Sequence, residues 1–175
     1  MKRILKIFGW ISIFIILSCL LWLLEINRSV YEVGIEGNAV HFKTPGFLVK
    51  LMCGEPDEEK EYSETTGARE YIYNDQTLFG KQGSISYYCL YGVNHVYMEI
   101  PVEEPQTGQE LFYDISACMC EVYSRKAGYY DQGIIVNEEE GILSHNIGAD
   151  FGAKGMTARI EYADNKISVI AHYQY

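Results

Sequence analysis

Eighteen consecutive uncharged residues constrain this chain more than any other feature in it. Residues 7–24 read IFGWISIFIILSCLLWLL, and a helix of that length reaches about 27 Å, close to a roughly 30 Å hydrocarbon core. Ile4 and Leu5 extend the run if Lys6 reaches back to the interface, so the expected span is Ile4 to Leu24. Trp10 and Trp22 lie near its two ends, where amphipathic rings prefer to sit. Lys2, Arg3 and Lys6 precede it, and only Glu25 and Arg28 follow closely. The positive-inside bias then keeps the N-terminus cytoplasmic and exports the chain after Asn27. Cleavage as a signal peptide fits less well, because the apolar region is long and 25–29 (EINRS) has no A-x-A match. Lipidation at Cys19 is disfavoured by a leucine two positions before it and by the apolar residues that follow. The expectation is a single-pass membrane protein: residues 1–27 form a basic tip and signal anchor, and residues 28–175 form one extracytoplasmic domain.

About 148 of the 175 residues follow Asn27, enough for a domain with its own core. Three of the 14 basic residues precede the span and one of the 24 acidic residues borders it, leaving 11 against 23. That balance of about −12 argues against nucleic acid, which needs a basic stripe, and against anionic lipid heads. The 15 tyrosines all lie at or after Tyr31. Tyrosine suits strands and interfaces, because its ring buries area while its hydroxyl stays wet. No internal repeat is visible in the sequence.

Parity pairs three hairpins, since a one-residue slip sends an apolar set to the wrong face. Around a two-residue turn at Asp164-Asn165, Tyr162 meets Ile167, Ile160 meets Val169, Ala158 meets Ala171 and Met156 meets Tyr173. Both turn residues tolerate the positive φ of a type I′ turn. A second hairpin sets Ile85, Tyr87 and Cys89 on one face with Val96, Met98 and Ile100, around Gly92 to Asn94. A third turns at Gly37-Asn38, with Ile35 opposite Val40 and Val33 opposite Phe42. The alternation of Phe47, Val49, Leu51 and Cys53 after Pro45 predicts another strand, and Ile134 to Val136 a short one. Residues 63–83 carry no decisive pattern.

One amphipathic helix follows from Leu111, Phe112, Ile115, Met119 and Val122 at helical spacing. Thr107 and Glu110 match a capping box at its start, and Gly128 can close its end. The expected fold class is therefore α+β: a transmembrane helix, then a mainly antiparallel sheet with one helix packed on it. Cys53, Cys89, Cys118 and Cys120 make an even set for an exported domain. Cys118 and Cys120 flank the helix stripe on opposite sides, so they do not bond each other or share a metal from a regular helix. Each would reach a different strand, and the expectation is a helix tied to the sheet by up to two disulfides.

Signals for chemistry are weak. His41, His95, His145 and His172 are scattered, with neither H-E-x-x-H nor a close pair. No G-x-S-x-G elbow occurs, and Gly148, Gly152 and Gly155 around Lys154 miss the P-loop pattern. Asn137-Glu138-Glu139-Glu140 and the cluster around Asp57 offer oxygens for Ca²⁺ but lack EF-hand spacing, and read as solvated loops. A free cysteine paired with His95 or His172 is the one nucleophilic arrangement the sequence leaves open. No cofactor motif is present. The expected role is a membrane-anchored binding module for a protein, peptide or glycan, held in the bilayer by its N-terminal helix. A small envelope hydrolase with a non-local site, or a pilin-like subunit, are the alternatives. A broad aromatic face or an unpaired sheet edge would favour the binder; a deep pocket with converging His, Asp or Cys would favour the enzyme.

Overall fold

The computed structural model describes residues 13–18 and 30–174. The chain divides into two compact units, Met1–Glu32 and Val33–Tyr175. Among the described residues no helix is long and apolar enough to cross a membrane. The predicted span from Ile4 to Leu24 lies outside them except for 13–18, which are helical.

The second unit is one antiparallel sheet of eight strands with a helix packed on it. A short helix α1 (Gly46–Cys53) precedes β1 (Glu58–Ser63), β2 (Ala68–Leu78), β3 (Lys81–Cys89) and β4 (Val93–Pro101). A long helix α2 (Pro105–Ser124) then leads into β5 (Tyr129–Asn137), β6 (Ile142–Asp150), β7 (Gly155–Ala163) and β8 (Lys166–Gln174). The spatial order is β1-β2-β3-β4-β8-β7-β6-β5. The unit is thus one topology used twice, a helix followed by a four-stranded meander. Tyr97 and Ile170, 73 positions apart, face each other across β4 and β8. The same shift carries Ile85↔Met98 onto Ala158↔Ala171, and Tyr87↔Val96 onto Ile160↔Val169. Equivalent strands therefore meet antiparallel at the centre, about an approximate two-fold axis between Tyr97 and Ile170.

The β7–β8 hairpin has every pairing that its sequence predicts, with Asp164 and Asn165 at φ of 51° and 56°. The β3–β4 hairpin keeps the predicted facing, Ile85 against Met98 and Tyr87 against Val96. Helix α2 buries Leu111, Phe112, Ile115, Met119 and Tyr123 against β5–β8. Each such side chain contributes about 1.5–3 kcal/mol relative to exposure. Gly108 lets the helix approach: a Cβ there would stand 2.4 Å from the Tyr162 ring.

Four expectations are corrected. The helix begins two residues before Thr107, with Pro105 at its first position and no side-chain cap. Proline lacks the N–H that would be orphaned there and is already set at a helical φ, so it displaces the capping box. Residues 47–53 are helix α1 rather than a strand. Only Val49 of the alternating set is fully buried, and Phe47 and Leu51 stay exposed. Residues 33–44 bury Val33, Ile35, Val40 and Phe42 as predicted, yet form no ladder. The side chain of Asn38 explains this: its Oδ1 accepts from Val40 N (2.9 Å) and its Nδ2 donates to Val40 O (2.7 Å). The backbone then pairs with neighbouring elements, Phe79 N to Glu36 O and Lys43 N to Val93 O. Finally, residues 63–83, which carry no decisive pattern, contain the whole of β2, and the short strand expected at Ile134 to Val136 is part of the longer β5.

Candidate functional site

The two helices and the coil at 33–44 all lie on one face of the sheet. Gly46 sits under the Tyr71 ring, Phe42 meets Tyr173 at 5.9 Å, and Gly34 lies against Val122. Among the described residues of this unit, no element packs on the opposite face. That face carries a column of rings: Tyr62 to Tyr88 at 5.5 Å, Tyr88 to His95 at 5.5 Å, and His95 stacked on His172 at 4.1 Å. Partial burial holds both imidazoles below their ordinary pKa, with His172 adding to the effect on His95. Beside the column lies a hollow of about 480 Å³ lined by His95, Tyr130, Asn146, Arg159, Ile170 and His172. Tyr97 and Ile170, on the approximate two-fold axis, are 36% and 46% exposed. The paired cores of the two halves thus leave a broad aromatic surface of mixed polarity in contact with water.

On the helix-bearing side, at the β5 edge, three further groups converge. Cys120 projects from α2 toward β5 and β6. Its Sγ lies 3.7 Å from Asp131 Oδ2 and 4.0 Å from His145 Nε2. His145 Nε2–H donates to Asp131 Oδ1 at 2.8 Å. Gly133 N (2.7 Å) and the Tyr129 hydroxyl (3.2 Å) also donate to Asp131. A bulge in β5 between Asp131 and Ile134 creates this arrangement. Ile134 is directly opposite His145, and the extra residues, with Gly133 at φ 75°, set the carboxylate diagonal to the imidazole. Among the described residues, this is the one place where three His, Cys, Asp or Glu ligand atoms lie within 4.8 Å of one another.

The geometry limits what these groups can do. In a Cys-His-Asp nucleophile the imidazole holds the acid through one nitrogen and takes the thiol proton through the other. Here Cys120 and Asp131 both address Nε2, which already carries the proton given to Asp131. Nδ1 is buried and meets no hydrogen-bonding partner. Burial pushes the Cys120 thiol up, and the Asp131 charge adds to this, so the reactive thiolate is disfavoured. The Asp131 carboxyl is held below the usual range, first by His145 and then by Gly133 N–H. The arrangement is poor for acyl transfer and well suited to holding a cation.

The predicted site residues are distributed differently from expectation. Cys53, Cys89, Cys118 and Cys120 form no disulfide with one another. The predicted bridges assumed that Cys53 and Cys89 lie on strands under the helix. Cys89 does lie on a strand, at the end of β3, but Cys53 ends helix α1, and both belong to the first half, whereas α2 packs on β5–β8. Cys118 and Cys120 do take opposite sides of the helix, Cys118 meeting Gly34 O at 3.9 Å. Cys89 is buried, and burial raises its thiol to about 12. The thiol–imidazole approach involves His145, not His95 or His172. Asn137 and Glu140 bond each other across the β5–β6 turn, and Asp57 accepts from Asn74 N. Gly148 and Gly155 lie on β6 and β7 rather than in one loop. The missed signal is Asp131-Gln132-Gly133, an aspartate two before a glycine within a strand, which marks a bulge. No family model matches the chain, and neither a curated protein nor a solved structure matches it.

Proposed function

We propose that this chain is a membrane-anchored, extracytoplasmic binding domain that receives a protein partner on the uncovered face of its sheet. The observation that carries the reading is the partly exposed column Tyr62–Tyr88–His95–His172 on the uncovered face, beside Tyr97, Tyr130, Arg159 and Ile170. Eight strands at about 4.8 Å and nine-residue strands at about 3.3 Å per residue give a face of roughly 1,000 Å². A standard interface needs about 800 Å² on each side. Tyrosine and arginine are the residues that concentrate binding energy in such patches, because they bury area at low entropic cost while keeping a polar tip. The edge strand β5 adds exposed Ile134, Ile135 and Val136, a second surface open to pairing. The anchor reading rests on the charge-free run and its flanking lysines. It is supported by Ile13, Phe14, Ile15, Ile16 and Leu17, all more than half exposed on their helical stretch, as side chains that lipid would cover.

Site-specific photo-crosslinking in native membranes tests both parts. A photoreactive residue at position 97 or 170 should trap a discrete protein adduct, and one at exposed Tyr113 on the helix side should not. An adduct from 113 alone, or none from 97 and 170, would overturn the docking face. Digestion of a C-terminal tag by protease added to intact cells should succeed; protection of the tag would reverse the orientation.

A further inference from the structure

The geometry points to a zinc-type site formed by Cys120 Sγ, Asp131 Oδ and His145 Nε2, a function separate from the docking face and independent of it. These are three different donor types from three elements: helix α2, the bulged edge strand β5 and strand β6. Imidazole and thiolate together select a borderline-soft ion such as Zn²⁺ over Ca²⁺ or Mg²⁺, which prefer all-oxygen sites.

The spacing fits. Zinc holds sulfur at about 2.3 Å and nitrogen or oxygen at about 2.0–2.2 Å, so tetrahedral neighbours stand roughly 3.3–3.8 Å apart. The nearest approaches are 2.8 Å from His145 Nε2 to Asp131 Oδ1, 3.7 Å from Cys120 Sγ to Asp131 Oδ2 and 4.0 Å from Cys120 Sγ to His145 Nε2, and with a single carboxylate oxygen the three donor atoms lie within 4.8 Å of one another. Seating an ion requires the His145–Asp131 contact to open by about 0.5 Å and the thiol to close by a few tenths. The direct hydrogen bond is then exchanged for two metal bonds: the imidazole changes tautomer, so that its proton sits on Nδ1 and the Nε2 lone pair faces the ion, and the Cys120 thiol releases its proton to solvent as the thiolate binds. Asp131 is the part of the site that can adjust, being 36% exposed on the edge strand, while the His145 side chain is 5% exposed and fixed by its neighbours. Three protein ligands leave a fourth position for water or for an incoming group.

The test uses the full-length protein in mild detergent, stripped of metal under reducing conditions and then titrated with Zn²⁺ and, separately, Co²⁺. The expected result is one ion per chain, with Co²⁺ giving a thiolate-to-metal absorption band and the weak visible bands of a four-coordinate ion. Cys120→Ser should abolish the sulfur band. Asp131→Asn should lower Zn²⁺ affinity by about 10-fold or more, as loss of a coordinating group does. The near-ultraviolet tyrosine signal confirms that each variant is folded, and Cys89→Ala serves as the thiol control that should leave the band intact. Folded wild-type protein that retains no ion, or a sulfur band that survives in Cys120→Ser, would overturn the site.

Discussion

The first half of the sheet and the second have the same topology and are held together by different means. In the second, α2 lays an apolar stripe from Leu111 to Tyr123 across β5–β8, so side-chain burial dominates. In the first, α1 is only eight residues long and fully buries Val49 alone. The place of the missing turns is taken by coil at 33–44, fastened by polar contacts. Tyr87 OH donates to Asn38 Oδ1 at 2.7 Å, and Asn38 in turn holds Val40 at both N and O. The edges differ likewise, although both carry a register irregularity: β1 is charged and meets Lys50 and Arg69, whereas β5 exposes Ile134, Ile135 and Val136 and is bordered by the thiol–carboxylate–imidazole group. One architecture therefore tolerates either a helix or a pinned coil as its second layer, provided that the backbone groups of the coil find acceptors and donors.

The largest test of this contrast is Phe112→Ala. Phe112 is fully buried beneath α2, and removing such a ring typically loses about 3–5 kcal/mol through transfer and cavity terms. Val49→Ala, its nearest analogue in the first half, removes two methyl groups and should lose about 1–2 kcal/mol. Thermal unfolding of the full-length protein in detergent, followed by the near-ultraviolet tyrosine signal, separates the two. Equal losses would mean that the halves share one mode of stabilisation after all.

Next in size comes Asn38→Ala, which should destabilise by about 1–3 kcal/mol by taking the Asn38 acceptor from the buried Tyr87 hydroxyl and both side-chain bonds from the Val40 backbone. Tyr87→Phe sharpens the point. It removes only the hydroxyl that donates to Asn38 Oδ1 and leaves both Asn38 bonds to Val40 in place, so its loss should be clearly smaller. If the two variants behave alike, the Val40 bonds add nothing and Asn38 is not the fastening of the coil.

These elements also show which parts of the fold the sequence makes legible. The β7–β8 hairpin is readable because two signals agree: Asp164-Asn165 suits a tight turn, and apolar alternation runs in step on both sides of it. In the first half the signals conflict. Val33, Ile35, Val40 and Phe42 announce burial correctly, but nothing local reveals that Asn38 will occupy the backbone groups a ladder would need. The alternation of Phe47, Val49, Leu51 and Cys53 misleads because Phe47 and Leu51 are simply exposed. Strand β2 hides because its buried set, Ala68, Tyr71, Tyr73 and Leu78, changes parity twice, between Ala68 and Tyr71 and again across the irregularity between Tyr73 and Gln76. The duplication is invisible for a related reason: equivalent inward positions such as Met98 and Ala171, or Ile100 and Tyr173, keep only their apolar class. Cys120, Asp131 and His145 come from three elements and become neighbours only through the bulge and the placement of α2.

The smallest expected effect lies at the charged edge of the first half. Lys50 donates a hydrogen bond to Glu59, and this, more than the nearby Arg69, holds the Glu59 carboxyl below its usual range. Because the folded state then binds fewer protons than the unfolded state, the pair contributes stability above the ordinary carboxylate pKa and loses it as pH falls through the depressed value. Glu59→Gln should therefore lower stability slightly near neutral pH and leave it unchanged once the carboxyl is protonated, so that part of the acid-side loss of stability disappears. Since Lys50 and Arg69 are in contact with solvent, salt screens them, and the difference between Glu59→Gln and wild type should shrink toward zero at about 1 M salt. Phe112→Ala should keep its full deficit at that ionic strength, since burial of an apolar ring carries no charge to screen. A Glu59→Gln deficit that persists in high salt would show that the carboxylate is held by packing, and would make the two edges more alike than their charges indicate.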